Sequence, residues 1–242
     1  MLEAAGWGLV AASSLVVGAA AGLWLPIPRR VVALLMAFGA GALTSAVTVD
    51  LANEAFKGGG TALTAIGLAT GAVAFVAGDL ALRRRAWRTR ATGPAAEPGS
   101  TGGQAIVLGA LLDGVPESVV LGATMLGGAG VSVSFLVAVL LSNLPEGVAG
   151  TRDLSDAGHG RGVILATWAG VAVVSAAAAG IGFAVLGGMS PGPVAVAQAF
   201  AAGAILAMLA DTMFPEAFAH GGDAVGLATV MGFAAAFLLS AK

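Results

Sequence analysis

The sequence predicts an all-α membrane protein with eight transmembrane helices, inverted repeats around a central pair of proline-interrupted helices, and both termini outside. Three observations carry that expectation. Hydrophobic residues make up 58% of the 242-residue chain, charged residues 10%, and mean hydropathy is +0.95. A soluble domain carries roughly 25% charge. The apolar residues gather into runs long enough to cross a bilayer. Two pairs of those runs read alike at fixed offsets.

The runs cover approximately 5–25, 31–56, 61–82, 104–126, 131–150, 162–187, 194–219 and 223–241, forming one transmembrane domain over 1–242. The first is preceded by Glu3 and no basic stretch, so it reads as a retained helix rather than a cleaved signal. The second contains Ala37-Phe38-Gly39-Ala40-Gly41 and ends Glu54-Ala55-Phe56 before Gly58-Gly59-Gly60. The third carries Asp79 near its end, beside the Arg83–Arg85 cluster, where it reads as a charge partner. A basic, flexible cytoplasmic loop is expected over 83–103, from its arginines and the Pro/Gly/Ser-rich stretch that follows.

The fourth and fifth runs carry the chemistry. Leu111-Leu112-Asp113-Gly114-Val115-Pro116-Glu117 and Leu140-Leu141-Ser142-Asn143-Leu144-Pro145-Glu146 repeat at an offset of 29. Each proline removes a donor and frees the carbonyl four residues back, here Leu112 and Leu141. Lipid cannot satisfy a bare carbonyl, so both must face protein, water or a cation. Asp113 and Glu117 share one helical face, with Glu146 as the natural partner from the next run. Three carboxylates in a low-dielectric site repel one another unless they hold protons or a cation. Ser142 and Asn143 add neutral oxygens one turn away.

The sixth run has no Asp, Glu or His. The seventh contains Ala199-Phe200-Ala201-Ala202-Gly203 and ends Glu216-Ala217-Phe218 before Gly221-Gly222, aligning with the second at an offset of 162. With eight spans these two cross in opposite senses, the arrangement of alternating-access carriers. Asp50, Glu54, Asp211, Glu216 and His220 lie on this pair as possible pathway residues. Gly18-x-x-x-Gly22 and Gly67-x-x-x-Gly71 read as packing contacts inside the bundle.

If 83–103 is cytoplasmic, nine of the eleven basic residues fall inside and only Lys57 and Lys242 outside, which sets both termini on the outer face. Zero cysteines leave oxygen or imidazole as metal ligands, and two histidines make imidazole scarce. No Gly-x-x-x-x-Gly-Lys-Ser/Thr string is present, no basic patch points to nucleic acid, and no enzyme activity or bound cofactor is expected.

At Asp113 to Ser118 and Ser142 to Gly147 the sequence resembles the ZIP family of divalent metal transporters, with its paired Pro-Glu motifs in the fourth and fifth helices. The resemblance extends to the second and seventh runs. It implies a carrier importing divalent metal, zinc first, with manganese, iron(II), cobalt and cadmium open. It also implies a bacterial inner-membrane location, lipid and the transported ion as partners, a homodimer, and sliding of helices 1, 4, 5 and 6 against 2, 3, 7 and 8. The primary site maps to Asp113, Glu117 and Glu146, with Asp113 where histidine is usual; the second maps to Gly114, Ser142, Asn143 and Glu146. Two other readings are a proton-coupled carrier of a small organic cation and an intramembrane hydrolase using Asp113 and Asp211.

Overall fold

A computed structural model of the protein describes residues 1–92, 100–127 and 130–241, with side chains over 1–84, 106–126 and 130–241. Every regular element among the described residues is a helix. We label them α1 (Leu2–Trp24), α2 (Arg29–Ala46), α3 (Asn53–Thr92), α4 (Ser100–Ala123), α5 (Val133–Asp156), α6 (Arg161–Leu186), α7 (Pro191–Met208), α8 (Phe214–Gly221) and α9 (Val225–Ser240). Among the described residues six helical stretches are long and apolar enough to cross a membrane.

Two of those stretches, Arg29–Arg84 and Pro191–Ser240, are 56 and 50 residues long, about twice what one crossing needs. Each contains a π-helical segment, Val47–Ala52 in one and Leu209–Met213 in the other, starting 162 residues apart. Each then meets a glycine with positive φ, Gly60 (φ 69, ψ −177) and Gly222 (φ 66, ψ −152), again 162 apart. Such backbone is open essentially only to glycine, so the helical direction breaks at the same place in both. The repeat seen in the letters is thus a repeat of backbone geometry.

Glycines also determine which helices touch. Between helices in lipid there is no hydrophobic force, and close van der Waals fit takes its place. Four crossings share one pattern, in which a carbonyl and the glycine three residues on meet the same pair on the other helix. Leu15/Gly18 of α1 meets Leu144/Gly147 of α5, and Val119/Gly122 of α4 meets Ala179/Gly182 of α6. Phe38/Gly41 of α2 meets Thr229/Gly232 of α9, and Leu68/Gly71 of α3 meets Phe200/Gly203 of α7. At each glycine an added Cβ would strike the opposing carbonyl. The last two crossings exchange partners between the repeats: α2 packs on the end of the second, α7 on the end of the first.

Two expectations need correction. The proline-bearing helices are not interrupted: α4 runs continuously through Pro116 and α5 through Pro145. The carbonyl freed by Pro145 lies against α2, where a Cβ on Gly39 would come 2.7 Å from Leu141 O. Neighbouring backbone thus covers the exposed acceptor, which is how membrane helices tolerate proline. The linker expected over 83–103 is mostly helical, because α3 continues to Thr92 and α4 starts at Ser100. Alanine and arginine favour helix, and the run after Leu82 is rich in both. Residues 93–99 lie outside the described residues.

Candidate functional site

α2 runs antiparallel to α5 and forms one wall of the site. Arg29 and Met36 line a cleft with Arg152 and Asp153; Gly39 touches Leu141 and Ser142; Asp50 reaches Ser132 and Ser134. Glu146 lies between the first and second of these contacts, half-buried, with Asn143 and Ser142 buried one turn above it. The Ser142 hydroxyl donates to Val139 O at 3.0 Å, so it is turned to its own helix. On α4, Asp113 is half-buried and Glu117 is only 3% exposed.

Lone carboxylates in an apolar bundle are costly, and these are arranged in series. Asp79 lies within electrostatic reach of Asp113, and Asp113 of Glu117. Asp113, Glu117 and Glu216 all bear on Glu146, and Asp153 bears on Glu216. The acids thus belong to α3, α4, α5 and α8, with Asp79, Asp113 and Glu146 half-buried, Glu117 buried, and Asp153 and Glu216 exposed. Among the described residues no three His, Asp or Glu side chains converge closely enough to form a ready-made metal centre.

A cleft of about 140 Å³ opens at the end that carries Arg29 and Arg152. Met36, Asp153, Glu216 and His220 also line it, and so does Ala149, one turn from Glu146. Arg152 itself is anchored, donating to the Ile27 carbonyl between α1 and α2. At the opposite end is a basin of about 810 Å³, lined by Asp50, Asn53, Glu54, Lys57, Ser132 and Gln198. Glu54 is exposed there and paired with Lys57 at 2.7 Å.

No protein-family model and no curated protein matches the chain.

The expected site residues thus fall into three groups. Asp113, Glu117 and Glu146 share one electrostatic neighbourhood, with Ser142 and Asn143 alongside. Glu216 and His220 are exposed in the arginine-end cleft, and Asp211 is exposed in the π segment above them. Asp50 and Glu54 belong to the basin at the other end. Asp79 pairs with Arg83 at 2.6 Å, the partnership its position implied.

Sequence reasoning missed four participants. Ser175 of α6 is buried and faces Gly114, where an added Cβ would lie 3.4 Å from its hydroxyl. A lone serine in an apolar run was its only signal. Asp153 lies near the end of α5, where a charge carries no special signal in the sequence. Ser132 and Ser134 are buried or half-buried partners of Asp50, more than eighty residues away in sequence, and no local pattern announces them.

Proposed function

We propose that the protein is a carrier of divalent metal cations, importing them across a bacterial inner membrane. The observation that carries this is a pair of carboxylates inside an apolar helical bundle, Glu117 on α4 at 3% exposure and half-buried Glu146 on α5, the latter approached to within one turn by a cleft lined with Glu216 and His220. A divalent cation is the ligand that best neutralises Asp113, Glu117 and Glu146 together, and carboxylates suit zinc, manganese and iron(II) alike. In this reading the ion is substrate, and its arrival draws the three carboxylates and the Asn143 oxygen inward.

The ZIP-like Pro-Glu motifs support the same reading. Counting Arg29–Arg84 and Pro191–Ser240 as two crossings each gives eight spans, with the second and seventh inverted. The arginine-bearing end is then cytoplasmic and both termini lie outside, in a homodimer. The reciprocal glycine crossings pair α1 with α5, α4 with α6, α2 with α9 and α3 with α7, so each pair falls wholly within one of the two sliding groups that the resemblance implies.

The test is metal uptake into proteoliposomes, comparing zinc, manganese, iron(II), cobalt and cadmium for wild type and Glu117→Ala. Saturable uptake that the substitution abolishes is the expected result. Folded wild-type protein that carries none of the five ions would sink the proposal and favour a small organic cation as substrate.

A further inference from the structure

At the Lys57 end, three elements are tied together by one carboxylate. Asp50 Oδ2 accepts from Ser132 Oγ at 2.8 Å and also from Ser134 Oγ. Ser132 is the N-cap of α5: its hydroxyl oxygen accepts from Phe135 N at 3.2 Å, and its own N–H donates to Thr124 Oγ1 at 3.2 Å, just after α4. The π-helical end of α2, the end of α4 and the first turn of α5 therefore meet at a single charge-assisted cluster. Hydrogen bonds to an ionised carboxylate are roughly twice as strong as neutral ones.

What lies behind this cluster is tightly packed. Ser134, Ala138 and Ser142 follow one face of α5, spaced four residues apart. Ser134 is held by Asp50, Ser142 abuts Gly39, and Ala138 between them is fully buried with Phe135, Leu43 and Val47. Glu146 is the next residue on that face. The basin outside is thus separated from Glu146 by about three turns of sealed helix contact. Among the described residues the arginine end has no carboxylate counterpart to this cluster. The residue 162 positions after Asp50 is Thr212, whose hydroxyl turns back to Met208 O at 2.6 Å, and there the cleft comes within one turn of Glu146.

We propose that Asp50 is a positioning residue whose carboxylate, held by Ser132 and Ser134, latches the π-helical end of α2 to α5 and closes the route from the basin to Glu146. Passage of an ion from that side requires the latch to open. The role given to the latch rests on the carrier reading; the contact itself does not.

The chain has no cysteine, so Ala138→Cys supplies a single thiol behind the latch. It is labelled with a charged, membrane-impermeant maleimide applied to one face or the other in right-side-out and inside-out vesicles, with ion uptake measured in parallel. Adding Asp50→Ala should raise labelling from the Lys57 side about tenfold or more, the population shift expected when hydrogen bonds to a charge are lost. Labelling from the arginine side should stay constant. Ser132→Ala with Ser134→Ala should reproduce the effect from the other half of the contact, so misfolding of one variant cannot imitate it. Asp50→Asn, which keeps an acceptor oxygen, should fall between. Equal labelling in all variants, or an equal rise from both sides, overturns the latch. A one-sided rise in a protein that carries no divalent ion leaves the latch standing and rejects the carrier; normal uptake with unresponsive labelling does the reverse.

Discussion

Gly232 shows what a single hydrogen atom can decide. Its Cα rests against the Phe38 carbonyl of α2, while Gly41 rests against the Thr229 carbonyl in return. Backbones this close gain van der Waals contact and weak Cα–H···O bonds, and neither survives the insertion of a methyl group. Gly232→Ala is expected to cost about 1–3 kcal/mol through overpacking. Gly170, on α6, has open space where a Cβ would stand. Gly170→Ala should be neutral or stabilise by about 0.5–1 kcal/mol, as glycine-to-alanine changes in helices do. Thermal melts of both variants in one detergent check the contrast, and equal behaviour would refute the packing argument. The acids divide in the same residue-by-residue way. Glu54 has an exposed lysine within reach, whereas Glu117 is buried with Asp113 as its charged neighbour.

At the scale of elements, the irregularity expected at Pro116 and Pro145 is found instead at the two π segments and at Gly60 and Gly222. The prolines were conspicuous letters, but both helices continue, and at Pro145 the backbone of α2 covers the carbonyl that proline exposes. The π segments were illegible, since a shifted hydrogen-bond ladder needs no special residue. Gly60 and Gly222 were visible only as members of glycine runs; which glycine of each run turns depends on the packing around it. Because both occupy a region of backbone space closed to side chains, Gly60→Ala and Gly222→Ala should each cost about 1–3 kcal/mol, and by similar amounts. Gly58→Ala is the control, with ordinary φ and 3.5 Å to the nearest atom, Ala195 Cβ. Denaturation in a mild detergent–urea series measures all three, and a tolerated Gly60→Ala would show that the break is not needed.

For the whole molecule, the repeat was legible because Phe38/Phe200 and Glu54/Glu216 survive at one offset among otherwise interchangeable small residues. The acids of the site were legible for a similar reason: a carboxylate in an apolar run stands out. Their distance from one another was not, because it depends on helix crossings set by glycines, which look alike in sequence wherever they pack. Asp50 illustrates the limit, as its partners lie beyond any local pattern. The proposed topology is open to direct test. Leu2→Cys, Lys57→Cys and Ala241→Cys should all react with an impermeant thiol reagent from outside the cell, and Arg161→Cys only after the membrane is breached. Reaction of positions 2 and 161 from the same side would remove the eight-span arrangement.

The exchange of partners between the two repeats has a consequence for biogenesis. Under the proposed membrane location, the ribosome feeds the chain into the bilayer with α2 complete long before α9 exists, and α3 long before α7. Their glycine faces must wait in lipid, or be shielded by the insertion machinery, until the last helix arrives to cover Gly41. Neither repeat can finish its own packing alone. Ribosome stalling or a stop codon ahead of α9 would therefore leave the earliest part of the chain unassembled as well as the end missing, and marked for quality-control proteolysis.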